Sequence, residues 1–115
     1  MRHPYYILRD KEPAACPILE WSKFFEKSDN RRVAEDRVGD FWISTVFLGI
    51  DHGWGFGTKP ILFESMVFDE TKKEKGLIEV DGYTRRYSTW KEAENGHRKI
   101  VRAIRAKVLG IKHIK

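Results

Sequence analysis

The sequence holds a single cysteine, Cys16, among its 115 residues. One cysteine can form neither an internal disulfide nor a multi-cysteine zinc site, and this usage is typical of a reducing compartment. No apolar run approaches the roughly 18–20 residues that a membrane-spanning helix needs. The first ten residues become charged again before the apolar segment of a signal peptide could form. These absences predict a cytoplasmic protein with no membrane contact.

Familiar catalytic and nucleotide-binding motifs are also missing. The glycine-rich loop at residues 53–60 reads GWGFGTKP, but Thr58 precedes Lys59, and Pro60 and a predicted strand follow. A phosphate-binding loop needs Gly-Lys-Ser/Thr leading into a helix, so that reading fails. The chain contains neither a GxSxG elbow nor an HExxH metal motif. We therefore expect no nucleotide, no other cofactor and no bound metal.

The composition is that of a folded protein. Hydrophobic residues make up 41% of the chain, and its fifteen aromatic residues favour a packed core. The length suits one domain, spanning residues 1–115. The net charge of +5 is uneven, because residues 85–115 carry ten Lys or Arg against two Glu, while the first 84 residues are net acidic. The basicity therefore belongs to the C-terminal segment.

Hydrophobic periodicity and turn residues predict an α+β fold with an antiparallel sheet of four to five strands and two helices. The expected strands are residues 5–9, 32–38, 41–49 and 61–68, followed by a hairpin of 77–80 and 83–87 around Asp81-Gly82. The first helix is expected over 18–27, with Pro17 at its start and Ile18, Trp21 and Phe25 in a core-facing stripe. The longer, C-terminal helix should begin at a Thr89/Glu92 capping box and stop at Gly110.

Residues 41–68 form the predicted centre of the sheet. Both faces of the strand at 41–49 are mostly apolar, which predicts a central strand covered on both sides. Glu64 interrupts an otherwise apolar face of the next strand. A carboxylate there must lie near an edge, be paired or be functional.

The loop between these strands displays Trp54 and Phe56 between glycines. Aromatic rings on such a loop are a contact surface for a partner or for stacked bases. The alternative is that both rings fold back over the sheet edge. The sequence does not decide between the two.

Asp51, His52 and His97 are the residues with acid–base or metal-binding potential, with Glu64 as a further candidate. Sequence neighbours such as Asp51 and His52 point apart in an extended chain, which opposes a shared metal. His97 falls on the inward stripe of the last helix, with Ala93, Ile100, Val101, Ile104 and Val108. A hydrogen-bonded core histidine is the commoner outcome at such a position.

Arg98, Arg102 and Arg105 share one face of the last helix at spacings of four and three residues. Lys107, Lys112 and Lys115 extend this charge. Such a stripe binds phosphates in a salt-dependent way, or it is a solvated helix face. It makes nucleic acid an alternative partner.

Three segments carry a family resemblance: STVFLGIDHGWG (residues 44–55), ILFESMVF (61–68) and YSTWKEAENGH (87–97). With YYILRD (5–10) and LEWSKFFE (19–26), they resemble a group of small uncharacterised bacteriophage and prophage proteins. The resemblance implies a phage gene expressed in the host cytoplasm, and it assigns no activity. Small phage proteins of this type are often accessory factors that bind host or phage macromolecules, which is an analogy.

The function predicted from these features is a non-enzymatic binding module that contacts a host or phage protein. Trp54, Phe56, Arg98, Arg102 and Arg105 would supply the contacts. One alternative is a small metal-dependent or acid–base enzyme using Asp51, His52 and His97. The other is a structural component of the virion.

Overall fold

The computed structural model describes residues 4–27, 31–71, 74, 76 and 78–114, with side chains as far as Gly110. Within that part of the chain, two strands precede the first helix, and five strands lie between the first helix and the second. In chain order they are β1 (Tyr6–Arg9), β2 (Glu12–Ala15), α1 (Ile18–Glu26), β3 (Arg32–Val38), β4 (Phe41–Phe47), β5 (Phe63–Asp69), β6 (Ile78–Glu79), β7 (Arg85–Tyr87) and α2 (Trp90–Ile114). The α+β class, the antiparallel pairing and the longer C-terminal helix are confirmed.

The main sheet is built around β4 and β5. Strand β4 pairs with β3 on one side and with β5 on the other, all antiparallel, so its predicted central position is confirmed. The turn at Gly39 and Asp40 joins β3 to β4 as expected. Strand β4 ends at Phe47, two residues before the predicted end, and β5 begins two residues late.

Two apolar clusters form the core on one face of this sheet. The first joins Phe47 and Phe63 to Ala93 of α2, and Phe24 and Phe25 of α1 pack against it. The second joins Ile43 and Val67 to a set of α2 residues, namely Ile100, Val101 and Ile104. Both helices therefore lie against the face that carries alternate residues of β4 and β5.

The opposite face corrects the expectation that β4 is covered on both sides. Its apolar side chains, Trp42, Val46, Met66 and Phe68, are half-buried, and neither core cluster of the described residues includes them. Long side chains of the sheet itself cover part of this surface, because arginine stems lie along apolar neighbours while the charge stays in water. Arg32 also donates a hydrogen bond to Ser44 Oγ at 3.1 Å.

The predicted hairpin of β6 and β7 is wrong. Asp81 and Gly82 do form a turn, with Gly82 at φ 90°, but both short strands pair with β5 instead of with each other. Strand β5 is seven residues long, and the edge that faces away from β4 presents the N–H and C=O groups of alternate residues. Pairing along it satisfies more of those groups than a hairpin between strands of two and three residues.

From the sequence, the strand at residues 5–9 is expected to join a sheet of later strands, with the polar stretch 10–13 as its flank. The structure instead pairs β1 with β2 in a hairpin. Asp10 and Lys11 form the turn with φ of 49° and 71°, as a type I′ turn requires. The turn was missed because it contains no glycine and because Pro13 occupies β2. A bridge between Tyr5 and Ile50 ties this hairpin to the residues after β4.

Helix α1 departs in detail from its predicted form. Pro17 is the N-cap rather than the first helical residue, and the helix ends at Glu26. Trp21 and Phe25 contact the core side, with ring centroids 4.9 Å apart, whereas Ile18 is 52% exposed. The predicted break at residues 28–30 lies outside the described residues.

Helix α2 begins as predicted and ends later. Thr89 Oγ1 accepts from the Glu92 backbone N–H, and the Glu92 carboxylate accepts from the Thr89 N–H, each at 3.1 Å. The inward stripe is confirmed, with Ala93, His97 and Ile104 among its buried members. The expected stop at Gly110 is wrong, because the helix continues to Ile114. A helical glycine costs only about 1 kcal/mol, and no proline follows to end the helix.

Candidate functional site

Asp51 anchors the loop between β4 and β5. Its side chain is buried at 2% exposure. Oδ1 accepts from the backbone N–H groups of Gly53 at 2.8 Å and Ile61 at 2.9 Å, and Oδ2 accepts from Gly55 at 3.1 Å. One carboxylate therefore joins the two ends of the loop, as charge-assisted hydrogen bonds to backbone donors do at caps and turns.

The loop presents its two aromatic rings to solvent. Trp54 is 75% exposed and Phe56 is 70% exposed, so the alternative that both rings fold back over the sheet edge is wrong. Trp54 has a φ of 56°, a left-handed conformation that is uncommon for a non-glycine residue. The hydrogen bonds from the two flanking glycines to Asp51 hold the backbone on either side of it.

His97 lies elsewhere, between α2 and the sheet, with 2% exposure. Its Nδ1 bonds to Thr45 Oγ1 at 2.7 Å and its Nε2 to Asp36 Oδ2 at 2.8 Å. His52 is half-buried beside the loop, and its backbone N–H donates to the Ile61 carbonyl. Asp51 and His97 thus bond to separate sets of partners, and the structure does not join them in one site.

Glu64 is paired. Its carboxylate accepts from Arg86 Nε at 2.9 Å across the β5–β7 pair, and its side chain is 14% exposed. Glu64 lies opposite Val46 on the outer face of the sheet, away from His97. Of the three predicted explanations for a carboxylate at this position, pairing is the one observed. Among the residues that the structure describes, no group of three or more His, Cys, Asp or Glu side chains could hold a metal ion.

A chain of hydrogen bonds, called the buried polar chain below, connects five side chains that the sequence did not show to be neighbours: Asp36, His97, Thr45, Ser65 and Tyr87. From His97 and Asp36 the hydrogen bonds continue from Thr45 Oγ1 to Ser65 Oγ at 2.5 Å, and from Ser65 to the Tyr87 hydroxyl at 3.1 Å. Thr45 and Ser65 are fully buried and directly opposite each other in the β4–β5 register. Their sequence signal was a hydroxyl at an inward position of each strand.

The direction of this chain follows from its carboxylate end. A carboxylate oxygen accepts, so His97 Nε2–H donates to Asp36, and in the neutral ring Nδ1 accepts from Thr45. Thr45 then accepts from Ser65, and Ser65 accepts from Tyr87. Each hydroxyl donates one hydrogen bond to the next group in the direction of Asp36. The Tyr87 hydroxyl has then used its only proton, and its oxygen can still accept a hydrogen bond.

The basic stripe of α2 lies on the protein surface. Arg98, Arg102 and Arg105 are exposed, and together with Val101 and Asp36 they line a shallow depression of about 220 Å³. The Asp36 carboxylate offsets part of this positive charge. The stripe runs toward the end of the sheet where Val108 approaches Gly39, whereas the aromatic loop leaves the opposite end, after Phe47.

Cys16 is 4% exposed. Burial, followed by the nearby Glu20 carboxylate, raises the pKa of its thiol, and Arg9 opposes the rise. The structure therefore favours the protonated thiol, which is a weak nucleophile.

Comparison with known proteins supplies no family for this chain. No protein-family model matches it, and neither the curated proteins nor the solved structures give a match. Over the described residues, no helix combines the length and apolar character that crossing a membrane requires.

Proposed function

We propose that this protein is a non-enzymatic, phage-encoded binding module that contacts a host or phage protein in the host cytoplasm. The exposure of Trp54 and Phe56 on a loop held by Asp51 carries the proposal. Burying one large apolar side chain contributes roughly 1.5–3 kcal/mol, and Trp often dominates the binding energy of an interface. A loop that is already held in place loses less conformational entropy on binding.

A protein partner fits the surroundings of the loop better than a nucleic acid does. Tyr5 is bridged to Ile50 at the base of the loop, and its ring lies 5.3 Å from Trp21 of α1. The first turn of α1 exposes two further apolar side chains, Ile18 at 52% and Leu19 at 75%. Sites for single-stranded nucleic acid place their stacking rings in a positively charged groove. The arginine stripe of α2 instead runs toward the other end of the sheet.

The test is quantitative affinity capture from bacterial lysate, with and without phage infection. We expect a protein retained by the wild type to be reduced about tenfold by Trp54→Ala and by Phe56→Ala, the loss expected for an interface anchor. Leu109→Ala is the matched control, because Leu109 is also a large apolar residue, 57% exposed, on α2. If no captured protein depends on both rings while the variants stay folded, the proposal is wrong.

The arginine stripe supports nucleic-acid contact as a second candidate. Arg98, Arg102 and Arg105 would bind phosphates, so affinity should fall steeply with salt. Gel shifts with DNA and RNA at two salt concentrations test this. Removing Arg102 as Arg102→Gln should weaken binding to all sequences about equally and reduce the salt dependence. A bound complex that is insensitive to both changes would exclude this role.

The geometry bears on one of the two remaining alternatives, and an experiment tests the other. An enzyme built on Asp51, His52 and His97 lacks support from the geometry, because Asp51 bonds to the loop backbone and His97 to Thr45 and Asp36. A virion component would be found by mass spectrometry of purified particles. Its detection there at stoichiometric amounts would replace the accessory role.

A further inference from the structure

A groove between α2 and β7 is separate from the aromatic loop. It measures about 570 Å³, within the range of small-molecule sites. Its lining includes Arg85, Tyr87, Glu92, Gly96 and Lys99.

The charges of this groove favour an anion. Arg85 and Lys99 supply two positive groups. Arg85 is held in place, because its Nη1 donates to the carbonyls of Gly82 at 2.9 Å and Thr84 at 2.8 Å. Glu92 is the one carboxylate among the described residues that line the groove, and it already accepts two hydrogen bonds from Thr89 in the capping box. A carboxylate or phosphate near Arg85 and Lys99 would therefore meet a net positive wall.

Tyr87 joins this groove to the buried polar chain. A side chain on Gly96 would place its Cβ 2.1 Å from the Tyr87 hydroxyl, so the bare glycine is what lets the hydroxyl pack against α2, and both residues line the groove. Because Tyr87 donates its proton to Ser65, its oxygen can only accept a hydrogen bond from the groove side. The chain that ends at Asp36 thus determines which kind of group Tyr87 recognises.

We propose that the groove binds a small organic anion that also carries a hydrogen-bond donor. Its phosphate or carboxylate would contact Arg85 and Lys99, and its hydroxyl or amino group would donate to the Tyr87 oxygen. Tyr87 is a specificity-determining residue in this site, and Thr45 is a positioning residue that acts through Ser65. The site is independent of the protein-binding role of Trp54 and Phe56.

The test titrates the ¹⁵N-labelled protein with four probes and follows the amide resonances of Gly96 and Lys99. Glycerol phosphate and malate carry both an anionic group and a donor, sulfate carries charge without a donor, and glycerol carries donors without charge. We expect saturable shifts with glycerol phosphate, malate or both. Sulfate should bind about tenfold more weakly, and glycerol should not bind. The two anionic probes distinguish phosphate from carboxylate recognition.

Variants assign the binding to individual groups. Lys99→Gln should weaken the binding of glycerol phosphate and of malate about tenfold. Tyr87→Phe should weaken the binding of glycerol phosphate or malate and leave the affinity for sulfate unchanged. Lys91→Gln is the matched control, since Lys91 is an exposed cation of α2 outside the groove. In Thr45→Val the chain is cut, and Ser65 can donate to Tyr87. Tyr87 can then donate to sulfate, so the preference for donor-bearing anions should shrink.

Three outcomes would overturn the proposal in a folded protein. One is the absence of saturable shifts with glycerol phosphate and with malate up to a concentration of about 20 mM, because an affinity weaker than that would not indicate a specific site. The second is shifts confined to the face of Arg98, Arg102 and Arg105. The third is equal affinity of the wild type for sulfate and for the donor-bearing anions. None of these depends on the capture experiment with Trp54 and Phe56.

Discussion

Asp51 shows how one carboxylate stabilises a loop in this protein. It is buried at the base of the aromatic loop and accepts from three backbone N–H groups. Those three donors come from both ends of the nine-residue segment 53–61. The display of Trp54 and Phe56 therefore depends on one side chain that contacts neither ring through these bonds.

Asp51→Asn is expected to destabilise the fold by about 1.5–3 kcal/mol. An amide retains one acceptor oxygen but places an N–H₂ group against a backbone N–H, and the charge-assisted bonds are lost. Urea unfolding measures the change. Asp40→Asn, in the exposed turn between β3 and β4, is the control and should stay within about 0.5 kcal/mol of the wild type. Equal effects of the two substitutions would contradict the anchoring role.

The buried polar chain predicts strong coupling between Thr45 and Ser65. Thr45→Val and Ser65→Ala each leave a buried partner without its hydrogen bond, which costs about 1–3 kcal/mol. The double variant removes both ends of one bond, so its cost should be smaller than the sum by about 0.5–3 kcal/mol. Ser22→Ala, which removes an exposed hydroxyl of α1, should combine additively with Thr45→Val. Additivity in both pairs would show that the chain does not act as a unit.

Helix α2 contains two glycines with opposite roles. A Cβ at Gly96 would lie 2.1 Å from the Tyr87 hydroxyl, whereas a Cβ at Gly110 meets no described atom within 4 Å. Alanine favours helix by about 1 kcal/mol over glycine, so helix propensity alone would make both substitutions stabilising. Position 96 should reverse that sign, because the tyrosine ring has to leave its place.

We therefore expect Gly110→Ala to raise the free energy of unfolding by about 0.5–1 kcal/mol, and Gly96→Ala to lower it by about 1–3 kcal/mol. Chemical denaturation followed by circular dichroism measures both. Tyr87→Ala combined with Gly96→Ala serves as the control, since it removes the hydroxyl and the two ring carbons, Cε1 and Cζ, that lie closest to the new methyl group. In that background the cost of Gly96→Ala should disappear. Stabilisation by Gly96→Ala would mean that Tyr87 does not pack against α2 in solution.

Elements with strong local signals could be predicted from sequence. The capping box of Thr89 and Glu92 and the inward stripe around His97 fixed the start and orientation of α2. The apolar runs of β4 and β5 placed both strands within about two residues. Local chemistry decides each of these features, so one sequence is enough to find them.

Other features depend on residues far apart in the chain. Strands β6 and β7 share the long edge of β5 instead of pairing with each other. The polar chain joins Asp36 to His97 across 61 positions. The exposed face of Arg98, Arg102 and Arg105 could be found because it follows from helical periodicity, whereas the sequence left the exposure of Trp54 and Phe56 open until the structure showed it. The partners of His97 could not be found, because only the packing of α2 on the sheet brings them together.

At the scale of the whole molecule the main sheet is one-sided. Both helices pack on the face of Ile43 and Phe47, while the other face carries the Trp42–Phe68 pair, with ring centroids 5.3 Å apart. Arg32 and Arg37 lie over the Trp42 ring at 5.8 and 5.5 Å. These cation–π contacts let charged side chains shield an apolar surface that no core cluster of the described residues includes.

Global stability should also respond to the one buried thiol. Because the structure raises the pKa of Cys16 above its ordinary value of 9.0, the folded protein keeps the proton at a pH where the unfolded chain has lost it. The contribution of Cys16 is therefore fully present below about pH 9 and is lost as the pH rises through the folded pKa. The slope that this single group can add is at most about 1.4 kcal/mol per pH unit.

Cys16→Val removes this titration and keeps a small apolar side chain in its place. Unfolding free energies of the wild type and the variant should differ by a constant below pH 9, and the wild type should lose stability relative to the variant above it. Tyrosine and lysine titrate in both proteins, so the difference between the two curves isolates Cys16. Denaturant unfolding from pH 7 to about 10.5 measures it. Parallel curves over that whole range would mean that the folded structure leaves the thiol pKa at its ordinary value.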